Sequence, residues 1–306
     1  MKRKKSARQD GASRSTAFTL VELLIVLGII AILVALLIPA VTMVRNTAKG
    51  TQQRAQLTTI EMGLTAFKND YGDYPPSHGY DSSGNPVYTY CGAQTLAEAL
   101  VGWDMMGFHP NSAWRADGED KNGGNATYDP LKNRDVDGDG TPDTLKERKG
   151  PYLEVATANA FRLNQLFSNT GSLAPNTFVL CDVFGVKSVT IGGKTVKAGT
   201  PILYYKANTS SKTIDYTAIA YVKLIYNRLD NDQFVFNVKE MADRAKYPSH
   251  PTPVNPLAGS SIFFYDTYIA DPKVTTIKWP CRPDSYLLIS AGVDGLYGTS
   301  DDIHNF

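Results

Sequence analysis

A single acidic side chain, Glu22, interrupts a run of 25 otherwise uncharged and mostly apolar residues from Leu20 to Val44. An ionised carboxylate in hydrocarbon is costly and is therefore rare unless it is paired. No lysine or arginine lies within helical reach on its C-terminal side. Either the carboxylate snorkels to the membrane surface near the helix start, or its partner is an amine created by cutting the chain just before Phe18.

One acid-rich loop has a spacing that suits a hard cation. Its acids fall at loop positions 1, 3, 5 and 9 and are Asp135, Asp137, Asp139 and Asp143. Glycine occupies position 6, and Thr141 offers its carbonyl at position 7. Glu147 lies one residue beyond the position where a closing carboxylate is expected. The pattern resembles EF-hand, dockerin and thrombospondin type 3 loops and predicts calcium binding; a solvated acidic loop is the alternative.

Motifs for catalysis or for transition metals are absent from the sequence. The four histidines are scattered, and no HExxH or GxSxG pattern occurs. Gly193-Lys194-Thr195 has a P-loop-like ending, but Ser188 stands where the first glycine is required, so a β-hairpin is favoured. The three cysteines have no CxxC spacing, which leaves one disulfide and one free thiol open; they are Cys91, Cys181 and Cys281.

Composition places the chain among folded proteins with a basic tip. It has 306 residues, of which 42% are hydrophobic and 20% charged, and this excludes wholesale disorder. Residues 1–17 hold six basic residues and one acid, whereas the remainder is net acidic although the whole chain is +1. Nucleic-acid binding by the body therefore has no compositional support.

The apolar run is long enough to be a membrane helix. About 20 residues span a bilayer core. The basic flank before the run predicts a cytoplasmic N-terminus and an exported body. A cleavable secretory signal peptide is the alternative, but the run is too long for one and no small-x-small site follows it.

The junction Ala17-Phe18-Thr19-Leu20-Val21-Glu22 resembles the class III leader junction of type IV pilins and type II secretion pseudopilins. The resemblance implies that a prepilin peptidase cuts after Ala17, where the family normally has glycine, and N-methylates Phe18. It implies that Glu22 is the family glutamate at the fifth mature position. Pro39 matches the family proline and predicts a kink or a melted stretch.

Charge pairing between neighbouring subunits would explain an acidic residue at position 22. The Phe18 amine of one subunit would neutralise Glu22 of a neighbour, and a mismatched buried charge is penalised heavily, so the pair would set the register between subunits. The apolar helices would then pack side by side. Gly28, Ala31 and Ala35 offer small surfaces for close approach.

Beyond Val44 the apolar residues keep a helical period. They recur at spacings of 3 and 4 and are Leu57, Ile60, Leu64, Phe67 and Tyr71. The following Tyr71-Gly72-Asp73-Tyr74-Pro75 ends the helix and resembles the helix ending of secretion pseudopilins. We predict further helices at 95–101, 161–167 and 238–246. The predicted strands are 176–184, 189–191, 194–196, 201–205 and 286–290.

The C-terminus, from Ser290 to Ile303, resembles the calcium loop that closes the major type II secretion pseudopilins. The resemblance implies that the metal ligands are the side chains of Asp294, Asp301 and Asp302 and the backbone carbonyl of Ala291, with help from Ser300. A polar tail without metal is the alternative. Calcium would tie the last loop to the sheet.

These observations predict an α+β pilin fold, with a long membrane-spanning helix packed on an antiparallel sheet. The expected segments are a leader at 1–17, a helix at 18–72 whose transmembrane half is 18–44, and an exported domain at 73–306 with an acidic insertion near 104–150.

The expected role is that of a structural subunit, not an enzyme. It would be a type II secretion pseudopilus subunit of the inner membrane with a periplasmic domain. The resemblance implies as partners prepilin peptidase, other copies, minor pseudopilins and the inner-membrane secretion machinery. A type IV pilin or minor pilin is one alternative; a membrane-anchored enzyme or carbohydrate-binding module is another.

Overall fold

The computed structural model describes residues 19–120, 127–129, 143–155, 157–212, 224–237, 255–258 and 261–306. Two compact units make up the chain, Met1–Thr47 and Ala48–Phe306. The leader, the predicted helix at 238–246 and the acidic loop from Asp135 to Thr141 lie outside the described residues, so those predictions stay predictions.

Helix α1 runs from Leu20 to Tyr71. Its first part, in the first unit, exposes every large apolar side chain from Leu20 to Val44. By length and composition this helix is able to cross a membrane. Of the kink or melted stretch predicted at Pro39, the melted stretch is wrong, because the backbone stays α-helical through the proline. The missing N–H leaves the carbonyl of Ala35 without its helical donor.

The second part of α1, in the second unit, buries one face. Leu57, Ile60, Leu64 and Phe67 are almost completely buried, as their 3 and 4 spacing predicts. Gly63 lies on the same face, where a Cβ atom would come within 3.2 Å of the Leu100 side chain. The helix ends at Gly72, whose φ of 84° is unfavourable for residues with a Cβ atom.

The second unit contains three further α-helices and nine strands among its described residues. The helices are α2 (Gly92–Val101), α3 (Leu163–Leu166) and α4 (Leu229–Asn237). The strands are β1 (His78–Tyr80), β2 (Pro86–Cys91), β3 (Ala160–Arg162), β4 (Phe178–Leu180), β5 (Lys187–Ile191), β6 (Lys194–Ala198), β7 (Leu203–Lys206), β8 (Tyr286–Ser290) and β9 (Ile303–His304). A 3₁₀ turn covers Asp143–Leu145, and a π-helix covers Phe263–Tyr268.

The described strands pair antiparallel in four small sheets. The pairs β1–β2, β3–β4 and β5–β6 are two-stranded, and β7, β8 and β9 form a three-stranded sheet with β8 in the middle. This is an α+β architecture of the pilin-like kind, in which a long N-terminal helix precedes small antiparallel sheets. The predicted fold class is therefore confirmed.

The sheet formed by β7 and β8 separates two hydrophobic clusters. Tyr204 and Leu288 belong to the cluster that also contains the buried face of α1. Their neighbours Leu203 and Ile289 belong to the other cluster, which includes Phe234 of α4. Because successive side chains of a strand point to opposite faces, this sheet is buried on both sides. Both strands consequently read as continuous apolar runs.

The predicted helix at 161–167 is only partly correct. Residues Ala160–Arg162 form β3 and pair with Phe178–Leu180, so the helix is limited to Leu163–Leu166. The ladder with β4 supplies hydrogen bonds that a longer helix would have to replace, and this pairing cannot be read from local spacing. The predicted hairpin around Gly192-Gly193 is confirmed as β5–β6.

The insertion predicted near 104–150 is more than a polar excursion. Its described part packs on α2 through the buried carboxylate of Glu98. That carboxylate accepts hydrogen bonds from Tyr90 at 2.7 Å, Ser112 at 2.5 Å and Tyr128 at 2.9 Å. Burial raises the pKa of Glu98, but the three hydroxyl donors favour its charged form. Phe108 also pairs with Lys149 in a β-bridge across the insertion.

We predict that Leu64→Ala destabilises the globular unit by about 2–5 kcal/mol, because it removes a fully buried side chain and leaves a cavity. Met62→Ala is the matched control on the same helix, since Met62 is 62% exposed, and it should change the unfolding free energy by less than about 0.5 kcal/mol. Denaturant unfolding of the full chain in detergent measures both. Equal effects of the two variants would contradict this placement of α1.

Candidate functional site

Glu22 lies on the first turn of helix α1 and forms a reciprocal cap with Thr19. The backbone N–H and the hydroxyl of Thr19 donate to Glu22 Oε2 at 2.9 and 2.7 Å. The backbone N–H of Glu22 donates to Thr19 Oγ1 at 3.2 Å. This arrangement is a capping box, in which the cap and the third helical residue satisfy each other's backbone donors. The Thr-x-x-Glu spacing was visible in the sequence, but the prediction for Glu22 did not use it.

The cap fixes the carboxylate without neutralising it. Hydroxyl and amide donors solvate the negative charge, but within the described residues no basic side chain forms an ion pair with Glu22. The proposed cleavage point between Ala17 and Phe18 lies outside the described residues. The Glu22 carboxylate is thus held on the first turn of α1 by Thr19. In the sequence it is four residues from Phe18, where cleavage would create a new amine.

The helix surface around Glu22 is open for contact with other apolar groups. Nothing lies within 4 Å of the position that a Cβ atom would take at Gly28. The side chains of the apolar run are exposed in the single chain. Such a continuous apolar surface is unfavourable in water and has to be covered by lipid or by other helices.

The C-terminal acidic loop connects β8 to β9. Asp301 Oδ2 accepts hydrogen bonds from the backbone N–H groups of Val293 at 2.8 Å and Asp294 at 3.1 Å, and the Thr299 hydroxyl donates to Oδ1 at 2.7 Å. A Cβ atom at Gly292, whose φ is 67°, would lie 2.3 Å from the Asp301 carbonyl oxygen. Residue 292 must therefore be glycine for the loop to close in this way.

Asp302 joins the same loop from its far end. Its Oδ2 accepts the backbone N–H of Gly298 at 2.7 Å and the hydroxyl of Tyr268. Tyr268 ends the π-helix and lies 34 residues away in the sequence. Sequence reasoning missed this contact, since no local spacing connects the two residues.

The charges of this loop oppose one another. Burial, together with the nearby carboxylates of Asp294 and Asp301, raises the pKa of Asp302 to about 7, although hydrogen bonds from Tyr268 and Gly298 oppose the shift. Burial also disfavours ionisation of Asp301, but its hydrogen bonds from Thr299 and from the amides of Val293 and Asp294 outweigh burial and lower its pKa. At neutral pH the loop therefore concentrates negative charge that a cation would relieve.

The ligands predicted in the C-terminal loop have the right donor atoms for calcium, but their side chains are not arranged around one point. Carboxylate and carbonyl oxygens are the donors that calcium prefers. Ala291 is buried directly after β8, whereas Ser300 is exposed. Among the residues that the structure describes, no group of three or more His, Cys, Asp or Glu side chains is arranged to hold a metal ion. The structure thus collects Asp294, Asp301 and Asp302 in one loop but turns their oxygens towards amide and hydroxyl donors.

The first acidic loop is described only at its end. Asp143 begins the 3₁₀ turn, and Glu147 Oε2 lies 3.4 Å from His109 Nε2. The remaining predicted ligands lie outside the described residues. The three cysteines are free thiols in the structure, which gives no support to the disulfide that the sequence left open.

Two features bear on the alternative of an enzyme or a carbohydrate-binding module. A cleft of about 330 Å³ contains both Asp73 and Asp230. Asp73 is paired with Lys206 at 2.5 Å, and the buried Asp230 accepts the Ser77 hydroxyl and faces His78 at 3.5 Å. Both carboxylates therefore have a partner within the protein, although the Asp73 side chain is 66% exposed.

The second feature is a parallel pair of aromatic rings, Trp103 and Tyr128, whose centroids are 6.1 Å apart. Tyr128 is buried, and the Trp103 indole packs against Gly118. The pair is part of the packing around Glu98, and both rings line a surface cleft of about 230 Å³.

Comparison with known proteins identifies the N-terminal motif. A family model described as the prokaryotic N-terminal methylation motif matches residues 12–38. No curated protein and no solved structure matches the chain. The matched range contains the cleavage junction, the Thr19–Glu22 cap and most of the apolar run. The chain therefore carries a prepilin-type N-terminal motif of the kind that prepilin peptidase processes. Among the described residues, one helix, at the N-terminus, is able to serve as a membrane anchor.

Asp182 connects the base of the C-terminal loop to the end of β4. It is fully buried, and its Oδ1 accepts the backbone N–H groups of Phe184 and Thr200, each at 3.1 Å. Its Oδ2 accepts the hydroxyl of Ser290, the last residue of β8, at 3.2 Å. Burial raises the pKa of Asp182 to about 7 despite these hydrogen bonds.

We predict that Asp182→Asn changes the pH dependence of stability. A carboxyl whose pKa is raised by folding stabilises the protein below its unfolded pKa of about 4, and this contribution is lost as the pH rises to about 7. Asparagine is shape-matched and does not ionise, so the unfolding free energy of the variant relative to wild type should rise by a few kcal/mol from pH 4 to pH 8. Parallel curves from denaturant titrations would contradict the burial of an ionisable group here.

Proposed function

We propose that this chain is a structural subunit of a type II secretion pseudopilus. The single observation that carries the proposal is the isolated carboxylate of Glu22 on the first turn of an exposed apolar helix, within a prepilin-type methylation motif. A capped but uncompensated charge at that depth requires a cation from another molecule.

Processing would supply that cation. Hydrolysis of the Ala17–Phe18 bond by prepilin peptidase releases the amine of Phe18, which becomes the N-terminus of the mature chain. Methylation keeps this amine basic. The Phe18 amine of one copy would pair with Glu22 of a neighbouring copy, and Thr19 would hold the carboxylate in place until the neighbour arrives.

The apolar helices would form the core of the fibre. Gly28 gives one position at which a neighbouring backbone could approach closely. The Ala35 carbonyl, freed by Pro39, gives another polar group that a fibre has to accommodate. The globular unit would be carried on the periplasmic side of the inner membrane, and growth of the fibre through the secretion machinery and its minor pseudopilins would push secreted proteins outward.

A type IV pilin or minor pilin is the second candidate, because the methylation motif is shared by both systems. The C-terminal loop favours the secretion role, since its Ser290–Ile303 segment resembles the loop that closes the major secretion pseudopilins. The closure of this loop around Gly292 and Asp301 is compatible with that comparison.

We also propose that the C-terminal loop binds calcium as a structural cation. Asp294, Asp301 and Asp302 would hold it with the carbonyl of Ala291 and with Ser300. The support for the proposal is the concentration of three carboxylates in one loop, where burial and the charges of Asp294 and Asp301 together raise the pKa of Asp302. The ion would relieve this repulsion and fix the loop against β8.

The mature N-terminus is the direct test of processing. Mass spectrometry of the chain purified from its native membrane should find a methylated Phe18 as the first residue. A chain that begins at Met1 in the assembled fraction would contradict the proposed pairing, because the Phe18 amine would then remain in a peptide bond.

Two substitutions separate the charge of Glu22 from its capping role. Glu22→Ala removes both, whereas Glu22→Gln removes the charge but keeps an acceptor for the Thr19 hydroxyl. We expect both variants to be processed and both to fail in fibre assembly, measured by cross-linking and by recovery of sheared fibres. Normal assembly of Glu22→Gln would show that the cap alone matters and would overturn the ion-pair proposal.

Chelation tests the calcium proposal. EDTA should lower the melting temperature of the full chain by about 5 °C or more, relative to calcium at 100 times its dissociation constant. Asp301→Asn should abolish this difference, and Glu154→Gln, an equal charge change at an exposed residue, should keep it. A calcium-dependent shift that persists in Asp301→Asn would place the ion elsewhere in the chain, and no shift in wild type would refute calcium binding.

A further inference from the structure

The β5–β6 hairpin is basic, although the body of the chain is net acidic. From Val183 to Ile214 the sequence has five lysines and no acidic residue. Lys194 and Lys197 of the hairpin are exposed. The turn residues Gly192 and Gly193 have φ angles of 55° and 79°, as a tight two-residue hairpin turn requires, and nothing lies within 4 Å of their Cβ positions.

The hairpin combines this charge with exposed apolar groups at its tip. Cross-strand pairing places Val189 opposite Val196 and Ile191 opposite Lys194 on one face. At the inner end of this face Val189 is buried in the core. At the outer end Ile191 is 40% exposed, and Val196, across from Val189, is 38% exposed. The tip is therefore amphipathic, with apolar side chains bordered by lysine.

The base of the hairpin lies beside the residue at which the chain enters the globular unit. Lys49, the second residue of that unit, donates to the carbonyl of Phe184 at 2.8 Å. The next residue, Gly185, lies against Lys197, with 3.1 Å between its Cβ position and the lysine Cβ. Lys49, Gly185 and Lys197 line one cleft of about 610 Å³.

Chain length limits the distance from this point to the apolar run. Lys49 is the fifth residue after Val44, the last residue of that run, and five residues span at most about 18 Å. Chain connectivity therefore keeps Lys49 within about 18 Å of the end of the apolar run, whatever the orientation of the globular unit.

We propose that the β5–β6 hairpin docks on anionic phospholipid headgroups of the membrane that anchors the same chain. Lysine ammonium groups would bind lipid phosphates, and Ile191 and Val196 would enter the interfacial layer. Few charges suffice because the anchor makes the encounter intramolecular and so raises the effective concentration of the surface. The inference rests on the membrane anchoring of the proposed function but not on fibre assembly.

An acidic protein surface is the competing partner for the lysines. The exposed side chains of Ile191 and Val196 favour a membrane over an acidic protein surface as the partner, because an acidic surface offers them no apolar environment. The proximity of the hairpin to the anchor favours it as well, because a bilayer is always present there.

The test uses the full chain in vesicles of either phosphatidylglycerol or phosphatidylcholine. Thr195→Cys, in a Cys281→Ser background, reports exposure of the hairpin through its rate of reaction with a polyethylene glycol maleimide. Thr276→Cys, in the exposed 275–278 loop segment, is the control reporter. Flotation with the vesicles first establishes that the chain is anchored.

We expect labelling of Thr195→Cys to be about threefold slower or more in phosphatidylglycerol than in phosphatidylcholine, with Thr276→Cys unchanged. High salt, or Lys194→Gln with Lys197→Gln, should abolish the difference. The double variant Lys273→Gln with Lys278→Gln carries the same charge change and should retain it.

Equal labelling of Thr195→Cys in the two lipids would overturn the inference and leave the anchoring of the proposed function intact. Protection that depends on protein density instead of lipid charge would overturn it in favour of a protein partner. Failure of the chain to float with vesicles would overturn the anchoring and the hairpin inference together.

Discussion

The negative charge of Glu22 inside an apolar helix is the constraint on which the molecule depends. Within the described chain its carboxylate receives hydrogen bonds from Thr19 but no positive charge. A capping box satisfies the backbone donors of the first turn, yet it does not remove the cost of an ion in hydrocarbon. The cap therefore stabilises the start of the helix in the single chain. Within the described residues the charge of Glu22 remains unpaired, and pairing it with a cation of another copy would favour association. The proposed fibre follows from that remaining requirement.

The second part of α1 differs from the first because it buries one apolar face in the globular unit. The face of α1 around Leu64 packs on α2 and on the β7–β8 sheet, whose other side covers a second cluster. A sheet buried on both faces holds the helix and the outer loops in one core. Its stability is hydrophobic, and polar contacts such as those of Glu98 and Asp182 fix the position of the insertion and of the C-terminal loop.

Charge is distributed unevenly over this unit. The C-terminal loop gathers Asp294, Asp301 and Asp302, whereas the β5–β6 hairpin is basic. In the loop the like charges oppose one another, and the structure relieves them by backbone donors and by Tyr268. In the hairpin Lys194 and Lys197 are exposed near the apolar side chains of Ile191 and Val196. These two surfaces differ in charge, and we have proposed a cation as the partner of the first and an anionic lipid surface as the partner of the second.

The sequence by itself determined the leader junction, the membrane helix, the buried face of α1, the helix end at Gly72 and the Gly-Gly hairpin. Each of these depends on local spacing, on hydropathy or on the backbone freedom of glycine, all of which are properties of short segments. Only the tertiary structure decided that Ala160–Arg162 is a strand, that Tyr268 reaches Asp302 and that the insertion packs on Glu98. Those outcomes depend on partners 16 to 34 residues away, and local periodicity contains no information about distant pairing.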